Sequence, residues 1–219
     1  MRWKTGLGHR LSIANLPTNM LCGLVLLAGE FGVNAESWFA GMRLNVQEIH
    51  DPQARVSYRQ ASEIIRRALP TLPIDGVGLA MGEKQNGGNF GLLGLAMKTA
   101  PTFGDAVQIG LEYQRNLGPL MDLDLQDRDD GSLAVVATAP EEATDLLPFL
   151  CEEMFASTLM LARELAGPAF RPLRLELGYP APRYAARYDD LFGCEVRFDQ
   201  PQHAMVVDRR WLELPFASY

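Results

Sequence analysis

Two adjacent glutamates, Glu152 and Glu153, interrupt an apolar stretch that has helical periodicity. A solvated helix face is the preferred interpretation of the pair, because carboxylates are rarely buried. The alternative directs one of them toward an internal cavity, where it would suit a ligand that carries an amine or guanidinium group. Glu153 is the member of the pair that we name as a candidate ligand-binding residue.

The other candidate ligand contacts are aromatic and methionine side chains, because small-molecule sites are concave and mostly apolar. We expect the site between a helical lobe and a sheet. One predicted wall consists of Phe90, Met97, Phe103 and Tyr113, and the other consists of Phe149 and Met154. For each of these residues, a place in the hydrophobic core is at least as good an interpretation as a place in the site.

The sequence contains no arrangement typical of an enzyme or a metal site. The histidines His9, His50 and His203 fall in different segments, without the HxH or HExxH spacing of zinc sites. The aspartates of residues 122–130 do not follow the order of a calcium-binding loop and are interpreted as a strand face and its turn. The glycines of residues 88–94 lack the context of a nucleotide-binding loop and are interpreted as positions of close helix packing. We therefore predict no catalytic residue, no metal and no cofactor.

The charge balance argues against direct contact with nucleic acid. The net charge is −7, and the densest basic sites are the pairs Arg66–Arg67 and Arg209–Arg210. A protein that grips DNA or RNA needs a positive face that displaces counterions from the phosphates. This chain is therefore not expected to bind nucleic acid by itself.

The cysteines and the apolar run point to a cytoplasmic protein. Cys22, Cys151 and Cys194 are far apart and odd in number, so no disulfide framework is predicted. Residues 20–28 form the only long apolar run, but a membrane-spanning helix needs about 20 residues. We interpret this run as a buried helix and predict no membrane association.

Residues 1–118 are predicted to form a helical lobe. A helix begins near Asn19 and ends before Gly32. Ser57 and Thr102 are suitable N-caps for two further helices, since their hydroxyls can accept a hydrogen bond from the first turn.

Residues 119–219 are predicted to form a sheet-and-helix lobe. Residues 121–127 alternate as a half-buried strand does, and Asp130-Gly131 predicts a hairpin to the next strand. A long helix is expected from Pro140 to Ala166, and the last two strands are expected to pair around the turn at 200–202. The fold class is α+β: a helical N-terminal lobe and then a β-β-α-β-α-β-β order, which forms a mostly antiparallel sheet backed by the long helix. The two lobes together form one domain.

The segment from Pro180 to Trp211 combines several structural signals. Tyr184 and Tyr188 are four residues apart, which places them on one helix face. Gly193 permits the positive φ that ends this helix. The order and spacing of these signals are rarer than any one of them.

Three stretches carry a resemblance to a known family. They are GLLGLAM at 91–97 with TAPTFGDA at 99–106, PLRLEL at 172–177 with PAPRY at 180–184, and FGCEVRF at 192–198 with PQHAMVVD at 201–208 and LELP at 212–215. From Phe90 onward the chain resembles the N-terminal effector-binding domain of AraC/XylS-type bacterial transcription regulators. The resemblance is to the arabinose-binding-like branch, whose sensor domain is not a cupin.

The resemblance implies a sensor and not an enzyme. Such a domain binds a small metabolite and controls a separate helix-turn-helix domain, and the family's effectors include amino acids, related nitrogen compounds, aromatic acids and lipids. Because the sequence ends at Tyr219 without a recognition-helix pattern, DNA contact is expected only through a C-terminal domain outside it. A homodimer is a further expectation. The alternatives are a dimerisation domain of the same regulator without a tight ligand, and a small enzyme of unknown class.

Overall fold

The computed structural model describes residues 11–114 and 120–216. The chain forms two compact units: of the described residues, unit 1 contains 11–74 and Leu120, and unit 2 contains 75–114 and 121–216. This division differs from the predicted lobes 1–118 and 119–219, because the helices between residues 77 and 113 belong to the same compact unit as the large sheet. The mixture of helices and a mainly antiparallel sheet confirms the α+β class.

The described part of unit 1 contains two α-helices, three short 3₁₀-helices and a two-stranded sheet. Helix α1 (Asn19–Glu30) occupies the predicted apolar run, and helix α2 (Tyr58–Ala68) begins after the predicted cap Ser57, which forms a capping box. Strands β1 (Leu16–Pro17) and β2 (Arg55–Val56) pair antiparallel. The buried side chains of this unit include Leu21, Leu24, Trp38, Ile49, Ile64 and Ile65.

Five α-helices lie in the described part of unit 2. In chain order they are α3 (Val77–Gly82), α4 (Gly91–Lys98), α5 (Phe103–Tyr113), α6 (Leu147–Ala166) and α7 (Ala186–Phe192). Helix α5 begins at the predicted cap, where the Asp105 amide donates to the Thr102 hydroxyl at 3.1 Å. The predicted start of α6 at Pro140 is wrong. Residues Glu141–Leu146 form a 3₁₀-helix in which Ala143 leaves helical geometry, with φ −114° and ψ 19°, so the α-helix begins only at Leu147.

Unit 2 also contains a five-stranded sheet. Its strands are β3 (Asp122–Asp127), β4 (Leu133–Thr138), β5 (Arg174–Glu176), β6 (Glu195–Arg197) and β7 (His203–Val207). The spatial order is β3-β4-β7-β5-β6, and every neighbouring pair is antiparallel except the parallel pair β5–β6. The predicted β3–β4 hairpin is confirmed.

The predicted pairing of β6 with β7 is wrong. Strand β5 lies between them, parallel to β6 and antiparallel to β7. Leu175 in β5 is fully buried, and pairing on both edges satisfies the backbone hydrogen bonds of this buried strand. Strand β6 is left at the edge of the sheet, where Glu195 and Arg197 are exposed.

Candidate functional site

Helix α6 carries both candidate carboxylates, and the structure places them differently. Glu152 is 2% exposed, whereas Glu153 is only partly buried. Adjacent residues of an α-helix point about 100° apart, so two neighbouring side chains can face different surroundings. The preferred interpretation of a solvated helix face is therefore wrong for Glu152.

Helix α3 lies against α6 at two glycines. A methyl group on Gly78 would lie 2.4 Å from the carbonyl oxygen of Phe149, and one on Gly82 would lie 2.3 Å from a side-chain carbon of α6. Only glycine therefore permits this separation of the two helices. The close approach lets the Glu152 carboxylate accept hydrogen bonds from the backbone amides of Gly78 and Leu79, in the first turn of α3.

Two tyrosine hydroxyls complete the hydrogen bonding of Glu152. The Oη atoms of Tyr184 and Tyr188 donate to the same oxygen, Glu152 Oε1, at 2.7 and 2.6 Å. The Oη of Tyr179 lies 3.1 Å from that of Tyr188 and extends the network. The predicted shared face of Tyr184 and Tyr188 is confirmed by their stacked rings, whose centroids are 6.2 Å apart. We call Glu152, Tyr179, Tyr184 and Tyr188 the Glu152 cluster.

Burial governs the protonation of the Glu152 cluster. It raises the pKa of Glu152, and the hydrogen bonds from the tyrosines and the two amides act in the opposite direction. Burial, followed by the nearby Glu152 charge, also raises the pKa of Tyr184 and Tyr188, which therefore remain hydrogen-bond donors at neutral pH. The cluster satisfies its own hydrogen bonds and joins α3, α6 and the segment around α7.

Two arginines near the start of α7 contact Asp75, which lies just before Gly76 and the start of α3. Arg183 Nη2 lies 2.6 Å from Asp75 Oδ1, and Arg187 donates to the Asp75 carbonyl oxygen. Arg187 Nη2 also lies 3.5 Å from Glu83 Oε2. These contacts fix the segment that carries Tyr184 and Tyr188 of the Glu152 cluster.

Glu153 has a different environment. Its Oε1 accepts a hydrogen bond from Ser157 Oγ at 3.0 Å, and among the described residues no arginine or lysine forms an ion pair with it. Burial raises the pKa of this carboxyl to about 6, although its side chain keeps some exposed surface. A cation that reached Glu153 would meet a carboxylate with spare acceptor capacity.

The four residues of the first predicted wall lie in three different environments. Met97 is buried in a core cluster with Ala100, Ala106 and Leu161, and Phe90 packs against this cluster. Phe103 is buried with its ring centroid 5.6 Å from that of Phe170. Tyr113, at the other end of α5, is 48% exposed.

The second predicted wall is on α6. Phe149 is 4% exposed and belongs to the core, where its carbonyl oxygen faces Gly78 of α3. Met154 is partly buried, and its carbonyl oxygen accepts a hydrogen bond from Thr158 Oγ1 at 2.7 Å. Glu153 and Met154 are therefore the two predicted α6 contacts that keep accessible surface.

Unit 1 contains a groove that the sequence analysis did not name. Its volume is about 470 Å³, and it is lined by Met42, Tyr58, Arg59, Gln60, Ser62, Glu63 and Arg66. Ser62 is 3% exposed, and its Oγ has no hydrogen-bond partner in the structure. In the sequence, Arg59, Ser62 and Arg66 follow one another at helical spacing, which places them on one face of α2. This spacing is the sequence signal that could have indicated the groove.

The described residues, 11–114 and 120–216, contain neither a candidate metal site nor a candidate membrane-spanning helix. No group of three or more His, Cys, Asp or Glu residues in these ranges could hold a metal ion. No helix in them is both long enough and apolar enough to cross a membrane.

Comparison with known proteins identifies the family. Residues 32–216 match the family model described as the arabinose-binding domain of AraC transcription regulator, N-terminal. The chain is 30% identical over 196 residues to the ornithine utilization regulator of Pseudomonas aeruginosa, a match that covers 89% of this chain and 57% of that protein. It is 26% identical over 183 residues to an uncharacterized HTH-type transcriptional regulator of Mycobacterium tuberculosis, of which the match covers 48%. The chain thus spans about half the length of these curated relatives.

A solved structure has the same fold. The crystal structure of the transcriptional regulator CdpR from Pseudomonas aeruginosa matches with a TM-score of 0.66 and 15% sequence identity, over 91% of this chain and 57% of that one. Together with the family match over residues 32–216, this confirms the resemblance predicted from the three sequence stretches. The chain belongs to the family of arabinose-binding domains found at the N-terminus of AraC transcription regulators.

Proposed function

We propose that this chain is the effector-sensing domain of an AraC-type transcriptional activator, which binds a small metabolite and controls a separate DNA-binding domain. The observation that carries the proposal is the family match over residues 32–216. The relatives are transcriptional regulators of about twice the matched length, which leaves room in them for a DNA-binding part. The net charge of −7 supports a division of labour in which this chain does not contact DNA.

We further propose that the effector carries a positively charged nitrogen group that pairs with Glu153. The support is chemical: the residue is only partly buried, burial raises the pKa of its carboxyl to about 6, and this carboxyl accepts a hydrogen bond from Ser157. A cation at this position would favour the ionised carboxylate and relieve the cost of its poor hydration. The name of the relative, an ornithine utilization regulator, selects ornithine as the first compound to test.

Thermal unfolding of the chain with added amino acids tests both proposals. A ligand that binds only the native state at a hundredfold excess over its Kd adds about 2.7 kcal/mol, which for a chain of this size raises the Tm by roughly 5–10 °C. We expect L-ornithine to raise the Tm. Norvaline, which has the same carbon skeleton without the side-chain amine, should leave it unchanged.

Two matched variants locate the site. Glu153→Gln should weaken ornithine binding about 30-fold or more by titration calorimetry, because the charge partner of the amine is removed. Glu112→Gln changes an exposed glutamate of α5 and should bind as the parent chain does. Equal binding of ornithine by Glu153→Gln and the parent would contradict the role of Glu153. If a broad panel of metabolites gave no shift while sedimentation showed a tight dimer, a dimerisation domain would replace the sensor assignment.

A further inference from the structure

The groove on helix α2 carries positive charge on an otherwise acidic molecule. Arg59 and Arg66 both line it. Glu63 is the acidic residue among the lining residues, and its Oε1 accepts a hydrogen bond from Arg67 Nε at 2.9 Å. Because Glu63 is engaged by Arg67, it does not cancel the charge of the two lining arginines. The groove is therefore locally positive, although the net charge of the whole chain is −7.

Ser62 is the most deeply buried residue that lines the groove. It is 3% exposed, and among the described residues its Oγ has no hydrogen-bond partner. A serine within a helix often donates to the carbonyl oxygen four residues earlier, but the Ser62 hydroxyl does not make that bond. A buried hydroxyl without a partner costs stability, since it has lost water and gained no hydrogen bond. This hydroxyl is therefore available to a ligand in the groove.

The geometry of α2 places the two arginines on either side of Ser62. Arg59 lies three residues before Ser62 and Arg66 lies four residues after it, which corresponds to about 4.5 and 6 Å along the helix axis. Both lie within about 60° of Ser62 around the helix. Arg59 is exposed and forms no ion pair with any residue in the ranges 11–114 and 120–216. A ligand held at the Ser62 hydroxyl would thus lie between two guanidinium groups.

Gln60 adds a further donor to the lining of the groove. Its Oε1 accepts hydrogen bonds from the amide and the hydroxyl of Ser57, both at 3.0 Å, in the capping box of α2. The group that Gln60 can offer a ligand is therefore its amide NH2, which is a donor. Donors thus dominate the polar groups that the groove presents to a ligand.

We propose that this groove binds a small molecule through an anionic oxygen group, either a carboxylate or a phosphate. The Arg59 guanidinium and the Ser62 hydroxyl donate to the anion, and Arg66 adds a second positive charge. Guanidinium groups bind both kinds of anion, because their paired N–H groups match two oxygens. Met42 and Tyr58 also line the groove, whose volume of about 470 Å³ is in the range of small-molecule sites. The ligand therefore also carries a short apolar part.

This anion site is separate from the proposed effector site. All of its lining residues belong to unit 1, whereas Glu153 belongs to unit 2. The two sites also require opposite charges, an anion in the groove and a cation at Glu153. The inference therefore goes beyond the proposed function and does not rest on it. Glu153→Gln should leave anion binding in the groove unchanged.

An NMR titration of the chain with three matched compounds tests the anion site. Hexanoate and hexyl phosphate carry the two kinds of anionic group, and hexanamide is the neutral counterpart of hexanoate. We expect the backbone amide signals of residues 58–66 to shift with at least one anion, which should bind about tenfold or more tightly than hexanamide. The anion with the lower Kd identifies the ligand group as a carboxylate or a phosphate.

Two arginine variants locate the anion. Arg59→Gln should weaken binding of the preferred anion about tenfold or more, because a charged donor is removed. Arg171→Gln removes the same charge from an exposed position in unit 2 and should bind as the parent chain does.

Ser62→Ala distinguishes a ligand contact from a structural role. It removes a buried hydroxyl that has no partner in the structure, so it should raise the Tm of the free chain by about 2–4 °C. The same substitution should weaken binding of the anion about threefold or more, because a hydrogen-bond donor is lost. A serine with a purely structural role would lower the Tm on substitution and leave the Kd unchanged.

Four outcomes would overturn the anion site. The first is the absence of shifts at residues 58–66 with either anion up to about 10 mM, where even a weak site fills. The second is binding of hexanamide as tight as that of the anions. The third is an equal Kd for Arg59→Gln and the parent chain, and the fourth is a lowered Tm of Ser62→Ala. The L-ornithine titration reports separately on Glu153, so the failure of one proposal leaves the other standing.

Discussion

At the scale of single residues, Glu152 and Glu153 show how adjacent carboxylates acquire different roles. Glu152 accepts hydrogen bonds from two tyrosines and two backbone amides, so it is internally satisfied and joins three segments of unit 2. Glu153 accepts a hydrogen bond from Ser157 and keeps accessible surface. The first is a structural carboxylate, and the second is the one we propose for ligand binding.

Glu153 should make stability depend on pH. Its folded-state pKa of about 6 lies above the ordinary 4.5, so the folded state holds the proton more tightly. The associated stabilisation is complete below pH 4.5 and is lost as the pH rises through 6, a change of about 2 kcal/mol in the free energy of unfolding. Glu152 acts in the same direction, because its pKa is also raised.

Urea unfolding at pH 4.5 and pH 7 measures this effect. The decrease in the free energy of unfolding between the two pH values should be smaller in Glu153→Gln than in the parent chain, by about 2 kcal/mol. Glu112→Gln serves as the control and should follow the parent. Parallel pH profiles for the parent and Glu153→Gln would show that this carboxyl is not poorly hydrated in the folded state.

At the scale of elements, the contact between α3 and α6 positions the Glu152 cluster. It depends on Gly78 and Gly82, four residues apart on α3, where a methyl group would lie 2.4 and 2.3 Å from atoms of α6. The obstacle at Gly78 is a backbone carbonyl oxygen, which cannot rotate away. The two helices would therefore have to separate, and the amides of α3 would move away from Glu152.

Alanine substitutions test this contact. Gly78→Ala and Gly82→Ala should each destabilise the chain by about 1–3 kcal/mol, because they overpack a closely packed interface. Gly29→Ala is the matched control: Gly29 lies within α1 with no atom near its missing methyl group. This control should stabilise by about 0.5–1 kcal/mol, since alanine favours a helix. Urea unfolding that gave the same sign for all three variants would contradict the glycine-dependent contact.

At the scale of the whole molecule, the charge of the chain argues against direct contact with DNA. The chain carries a net charge of −7, and the exposed Arg209 and Arg210 are paired with Asp127 and Asp208. The described surface therefore offers no cluster of unpaired cations at this basic site. Under the proposed function, the DNA contact belongs to the other part of the regulator.

The chain alone should not bind duplex DNA. We expect no change in fluorescence anisotropy of a labelled duplex at 150 mM salt up to about 100 μM protein, the weak end of ordinary non-specific binding. A helix-turn-helix domain measured under the same conditions provides the positive control. Salt-sensitive binding in the micromolar range would contradict the division of labour.

Local sequence signals predicted many parts of the fold. Ser57 and Thr102 cap α2 and α5 as expected, and Asp130-Gly131 forms the β3–β4 turn. Gly193 ends α7 with a φ of +62°. These features depend on residues within one or two turns of each other, so the local sequence contains the necessary information.

The wrong or missing predictions concern contacts between segments that are far apart in the sequence. The pairing of β6 with β7 was the simplest choice for neighbouring strands, but β5 takes the place between them. The groove in unit 1 was not named, since a helix face alone does not show whether anything covers it. The ligand role of Glu153 and of the predicted apolar walls stays a prediction.

The sequence by itself determined the family, the α+β class, the local turns and caps, and the candidate status of Glu153, because each of these depends on nearby residues or on ordered motifs. Only the tertiary structure decided that Glu152 is buried and Glu153 accessible. That difference arises because α3, about seventy residues earlier in the chain, brings Gly78 and its amides against one side of α6. Tyr184 and Tyr188, about thirty residues later, close the same side with their hydroxyls. The environment of a side chain is set by whichever distant segments pack against it, and helical periodicity alone does not identify those segments.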